Sequence, residues 1–184
     1  MKKLVFCGLF TAFTVFGYAQ KADTVSNKSG IQGNNELRIN LLNSIIGIPE
    51  INYERLIKDD MGIGLAAFIG LDDQTEYTFG VIPHFRVYFG GKKASGFFIE
   101  GNAAVIGTKD YDYINLAGSQ FPTGYAASRQ ENNYTSLGLG AAAGAKFLTR
   151  NGFIGEVYGG VIRLFGDRAI EAYPRIGITI GKRF

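Results

Sequence analysis

The sequence has no tryptophan, one cysteine and one histidine among 184 residues. A Cys₂His₂ or Cys₄ zinc site within one chain is therefore excluded, and so is an intrachain disulfide. Any catalytic triad or Cys–His pair would have to use His84. Charged residues are scarce, at 19% against 46% hydrophobic, which excludes a disordered or polyelectrolyte chain. Helical periodicity is missing too: after residue 34 no segment keeps a 3.6-residue apolar repeat over three turns. What abounds is glycine, with 26 residues, together with 15 Phe and 10 Tyr. The length suffices for one domain with a sizeable core.

The first nineteen residues read as a secretory signal peptide. Met1-Lys2-Lys3 is a short basic start, Leu4 to Phe16 a mostly apolar run, and Gly17-Tyr18-Ala19 puts small residues at the −3 and −1 positions. Cleavage is expected between Ala19 and Gln20. The apolar run is too short to cross roughly 30 Å of hydrocarbon as a helix. Cys7 lies inside that run behind bulky Phe6, which argues against a lipidated cysteine. Cleavage leaves 17 basic against 16 acidic residues, a near-neutral chain with no basis for nucleic-acid binding. Residues 20–34 are polar and read as a flexible lead.

From residue 35 onward the apolar period is two. In Tyr77 to Gly90, Tyr77, Phe79, Val81, Pro83, Phe85, Val87 and Phe89 form one apolar row; His84, Arg86 and Tyr88 fall in the other, with Gly80 and Gly90. The same split recurs in eight segments, about 35–46, 49–57, 62–72, 77–90, 96–108, 134–149, 153–165 and 173–184. An even count lets the last strand return antiparallel to the first, so that a sheet can close. The links after segments 2, 4 and 6 are compact and those after 3, 5 and 7 longer, with 109–133 the longest. Only the first link, around Gly47-Ile48, looks tight where a long loop is expected.

A soluble barrel would turn the apolar row inward. Three features favour lipid instead. The apolar row ends in aromatics at the short-turn rim, Phe89, Phe97, Phe147, Phe153 and Phe184, and at the other end in Tyr77 and Phe165; such girdles lie at membrane interfaces. The opposite row carries charges that match across hairpins. Finally, Ile176, Ile178, Ile180 and Phe184 form an alternating strand closed by a terminal Phe, the signal read by the outer-membrane barrel assembly machinery. The fold expected over 35–184 is all-β: a closed eight-stranded antiparallel up-and-down transmembrane β-barrel, preceded by a cleavable signal peptide.

On these residues the chain resembles the small eight-stranded outer-membrane barrels of Gram-negative bacteria, of OmpA-like and OmpX-like type. The stretches Asn35-Glu36-Leu37-Arg38-Ile39-Asn40-Leu41-Leu42 and Pro49-Glu50-Ile51-Asn52-Tyr53-Glu54-Arg55-Leu56 resemble the opening hairpin of barrels common in Bacteroidetes. The resemblance implies a cell outer-membrane location reached through the periplasm, and carries no catalytic motif.

An eight-stranded barrel has an interior just wide enough for side chains to fill. A turn centred on Lys93 sets Arg86 opposite Glu100 and His84 opposite Asn102, all inward, with Phe89 opposite Phe97 outward. A three-residue loop at Arg150-Asn151-Gly152 sets Lys146 opposite Glu156. Arg38 falls near Glu54. The turn-side half of the lumen is thus expected to hold three cations and three carboxylates, either as separate pairs or as one network.

The enzyme reading is the less favoured one: no serine neighbours His84 in sequence or across its hairpin, and a lone His in a polar lumen is more often a hydrogen-bonded filler. No catalytic residue, cofactor or metal is assigned. Asp59-Asp60 and Asp72-Asp73 read as turn residues. Within 109–133, Tyr111, Tyr113, Phe121 and Tyr125 stand among small polar residues. They offer contacts to a surface ligand, unless the loop folds back over its own barrel. Arg163, on the apolar row, faces lipopolysaccharide phosphates or snorkels. The expected role is structural or surface-interacting with a plugged lumen; the alternatives are a narrow channel for small solutes and a lipid-modifying enzyme. Expected partners are outer-membrane lipid with lipopolysaccharide, and the assembly machinery.

Overall fold

The computed structural model describes residues 33–72, 75–114, 128–166 and 170–184, without the side chains of 110–114 and 128–131. The signal peptide, its cleavage point at Ala19 and Gln20, and most of the polar lead lie outside the described residues. So do Phe121 and Tyr125, and the side chains of Tyr111 and Tyr113.

The strands are β1 (Asn35–Asn40), β2 (Glu50–Lys58), β3 (Met61–Ile69), β4 (Tyr77–Tyr88), β5 (Gly96–Ile114), β6 (Ser128–Leu148), β7 (Phe153–Phe165), β8 (Ala172–Pro174) and β9 (Gly177–Arg183), with one helical turn, α1 (Leu41–Ile45), after β1. Each strand from β1 to β7 pairs antiparallel with the next. β8 and β9 both pair with β7 in a single register, Val161 opposite Pro174 and Tyr158 opposite Gly177. They are therefore two halves of one eighth stave. β9 also pairs with β1, Glu36 opposite Arg183, and this closes the barrel. Asn35 and Phe184 exchange backbone hydrogen bonds at the short-turn rim.

The eighth stave breaks at Arg175-Ile176 for a local reason. Arg175 N donates to Gly160 O, so the nitrogens of Pro174 and Ile176 face away from β7. On that side β1 has already ended at Asn40, opposite Thr179. Pro174, lacking an N–H, thus costs the ladder no bond.

Three expectations are corrected. The first segment does not run to residue 46. Asn40 accepts from Asn43 N through its side chain, Ser44 Oγ donates to Asn40 O at 2.6 Å, and the chain turns into α1. Gly47, at φ 83°, ends the turn, so the first link is a full loop. The segments expected at 96–108 and 134–149 extend to β5 and β6, whose pairing continues from Lys109 opposite Asn133 to Ile114 opposite Ser128. Neither β4 nor β7 reaches that height, so 109–114 and 128–133 form a two-stranded ribbon beyond the barrel. Finally, Tyr77 is not on the outer face. A bulge between Tyr77 and Phe79 reverses its side, and its ring meets Tyr173 edge-on at 5.0 Å inside the barrel.

Away from the bulges, residues alternate between inside and outside, as in β2, where Glu50, Asn52, Glu54 and Leu56 are buried and Ile51, Tyr53, Arg55 and Ile57 exposed. The interior has three layers. At the loop end Phe68, Ile82, Ile106, Ile162, Leu164 and Tyr173 pack with Ile48, Ala66 and Ala104. At the turn end Leu56, Tyr88, Ala94, Phe98 and Tyr158 form a second apolar cluster. The charges lie between and beside these clusters.

Candidate functional site

The inward row of seven staves supplies ten carboxylate, guanidinium and ammonium groups, all buried: Glu36 and Arg38 from β1, Glu50 and Glu54 from β2, Arg86, Glu100, Lys146 and Glu156 from β4 to β7, and Arg175 and Arg183 from the eighth stave. β3 contributes glycine instead. A Cβ at Gly62 would lie 2.1 Å from Glu54 Oε1, so only glycine lets that carboxylate reach its partners.

The ten groups form one continuous network. Arg183 donates to Glu36 at 2.6 Å, and Glu36 also accepts from Arg38 at 2.6 Å and from Lys146 at 2.8 Å. Glu54 is the hub: Arg38 donates to it at 2.6 Å, Arg86 at 3.2 Å, Lys146 at 3.4 Å and the Tyr88 hydroxyl at 2.5 Å. Arg86 extends from there to Glu156 at 2.9 Å and Glu100 at 2.7 Å. Arg175 joins Glu100 at 3.1 Å to Glu50 at 2.7 Å. Five carboxylates face four guanidinium groups and one ammonium, so the layer is formally neutral. Burying ions this deeply is tolerable only with partners on each side.

Polar neutral groups complete the layer. Tyr158 OH donates to Glu50 at 3.1 Å and accepts from Arg175 and Asn40. Asn43, carried inward by α1, donates to Glu50 Oε2 at 2.8 Å. Arg183 donates to the carbonyls of Lys93 and Ala94, which holds the 89–95 turn across the barrel's turn end.

Arg86 stands directly across from Glu100, and His84 from Asn102; Arg38 reaches Glu54 diagonally, from opposite Asn52. Lys146 requires a correction. It lies across from Glu156 in register, but its flexible stem carries the ammonium to Glu36, Glu54 and the Tyr88 hydroxyl. The expected three-plus-three set is corrected to five-plus-five. Glu36, Glu50, Arg175 and Arg183 were legible only by extending the parity of the inward row along each strand.

His84 Nδ1 lies 3.3 Å from Ile82 O, which makes Nδ1 the donor. His84 Nε2 and Asn102 Oδ1 have no partner among the described residues. No nucleophile is bonded to His84, and no group of three or more metal-ligating side chains occurs among the described residues. On the outer surface, Phe89, Phe97, Phe147, Phe153 and Phe184 are exposed at the turn-side rim, Phe79 and Phe165 at the loop side, and Ile176, Ile178 and Ile180 along the eighth stave. The Phe89 and Phe97 rings pair at 6.0 Å. Arg163 is exposed beside Phe165.

Fold and site together define a closed eight-stranded up-and-down barrel with an apolar exterior and an ionic, filled interior. No protein-family sequence profile matches the chain, and no curated protein matches it. Among solved structures, the chain is similar to the N-terminal β-barrel domain of Pseudomonas aeruginosa OprF, at 14% identity and a TM-score of 0.48, covering 83% of this chain and 100% of that one.

Proposed function

We propose that this chain is a non-enzymatic outer-membrane β-barrel with a plugged lumen and a structural or surface-contacting role. One observation carries the reading: the barrel is inside out relative to a soluble protein. Its outward rows are large and apolar, among them Ile51, Leu65, Phe85, Ile99, Leu139 and Val161, while five carboxylates and five cations are buried. Water penalises such an exterior at about 25 cal/mol per Å², whereas hydrocarbon does not. Strands of nine to thirteen residues in β2, β3, β4 and β7 match the roughly 9–11 that a tilted strand needs to cross a bilayer. The signal-like residues 1–19 support export through the periplasm. In cells, the full chain is expected in the outer-membrane fraction with its N-terminus at Gln20. Recovery as a soluble protein would overturn the reading.

The filled interior supports a structural role over a channel. In planar bilayers the refolded mature chain is expected to give no stable conductance steps; a persistent large pore would refute the plugged lumen. The ribbon of 109–114 and 128–133, which extends past the described ends of β4 and β7, supports contact beyond the loop-side rim. Exposed Arg163 supports contact with lipopolysaccharide phosphates. The outward row Ile176, Ile178, Ile180 and Phe184 supports recognition by the assembly machinery. Phe184→Ser keeps the backbone bonds to Asn35 but removes the terminal ring. It is expected to lower the assembled fraction in cells while hardly changing the unfolding midpoint of refolded protein; equal assembly of both chains would sink that role.

A further inference from the structure

The lumen is electrically balanced, yet the turn-side rim is not. Six basic side chains lie at the turn end, Arg55, Lys58, Lys92, Lys93, Arg150 and Lys182, against the two carboxylates Asp59 and Asp60. Among the described loop-side side chains, Asp72, Glu76 and Glu171 stand against Lys109 and Arg163, with no comparable excess of one sign. The turn-side cations sit at the height of the aromatic belt. Lys182 Nζ stands 5.8 Å from the centre of the Phe153 ring, Lys92 is five residues from Phe97, and Arg150 lies in the turn between Phe147 and Phe153. Arg55, Lys58, Lys92, Arg150 and Lys182 are all exposed, and none belongs to the buried network. Lys93 is half-buried, shared with Asn34 and Asp59.

Resting on the membrane reading above, we propose that the turn-side rim is a docking surface for anionic phospholipid headgroups, with the Phe belt in the acyl chains and the cations on the phosphates. Charge complementarity selects this partner: a ring of separated, flexible cations around an apolar belt fits many mobile phosphates at one height. Each Lys or Arg near an anionic lipid surface is worth roughly fivefold in association at low ionic strength, and salt screens the effect.

The test uses the mature chain refolded into phosphatidylcholine vesicles carrying a trace of spin-labelled phosphatidylglycerol or spin-labelled phosphatidylcholine. The fraction of motionally restricted label reports lipids at the barrel surface. Phosphatidylglycerol is expected to associate several-fold more strongly than phosphatidylcholine at low salt, and the two equally at high salt. The triple variant Lys92→Gln, Arg150→Gln, Lys182→Gln should lose the preference, while Arg163→Gln at the other rim should keep it. Equal association of both lipids with the parent chain would overturn the inference and leave the membrane reading intact. So would a preference that survives in the triple variant. Failure to insert into any vesicle would overturn the membrane reading, and this inference with it.

Discussion

Arg86→Ala is expected to lower stability by about 3–5 kcal/mol, the cost of leaving buried carboxylates without their cation, and Glu156→Gln should restore more of that loss than Glu100→Gln. Arg86 touches three carboxylates, and they are not equally dependent on it. Without it, Glu54 keeps Arg38, Lys146 and the Tyr88 hydroxyl. Glu100 keeps Arg175 at 3.1 Å and the Asn102 amide at 3.0 Å. Among the described residues Glu156 keeps only Arg38, at 3.4 Å. Opposite position in the ladder would name Glu100 as the orphan, whereas the network names Glu156. Part of the loss is not ionic and neither second change recovers it, because the guanidinium also covers the Phe98 ring at 4.4 Å. Urea unfolding of the parent, the three single and the two double variants in one bilayer system reads out both double-mutant cycles. Equal recovery by the two carboxylate changes would mean that pairwise contacts, not the network, set the energetics.

The alternation of side chains was legible because a half-buried strand leaves a period-two trace whatever surrounds it. It placed Arg86 against Glu100, and the rims at the short turns. What it could not supply were events that interrupt the period. The end of β1 is set by hydrogen bonds of Asn40 and Ser44, invisible to hydropathy, and the Leu and Ile residues of 41–46 read as more strand. The bulge at Tyr77 and Phe79 leaves composition unchanged while moving a tyrosine across the wall. Parity does place Arg175 and Glu50 inward. Their meeting depends on the curvature of the closed barrel, which brings the eighth stave and β2 together over the shortened β1. A long stem defeats register in the same way: Lys146 sits beside Glu156 in the ladder and spends its charge on β1 and β2.

Phe68→Ala is expected to cost about 3–5 kcal/mol and yet leave the barrel electrically silent. Phe68 is buried and stacks on Tyr173 with ring centroids 5.3 Å apart and planes 4° from parallel. Below it lies Gly80, where a Cβ would meet the Phe68 ring at 2.0 Å, so the ring occupies space that β4 leaves empty. Strands locked into a closed ladder cannot move in to refill that space. The cavity would open among Gly80, Ile82, Ile106 and Tyr173 at the loop-side end of the barrel, which loosens the ladder there and brings solvent closer to it. Amide exchange should therefore quicken at the loop-side ends of β3 and β4, while β1 and the turn-side half of β2, inside the ionic layer, stay protected. Ions have further to go than water. Beneath the new cavity the guanidinium groups of Arg38 and Arg86 and the carboxylates around them still fill the cross-section, each group held by two or more partners. A passing ion would have to displace a buried charge from its counter-charges. Conductance steps from Phe68→Ala in a planar bilayer would show that the apolar layer alone seals the barrel; silence together with the lost stability would assign the seal to the ionic layer beneath it.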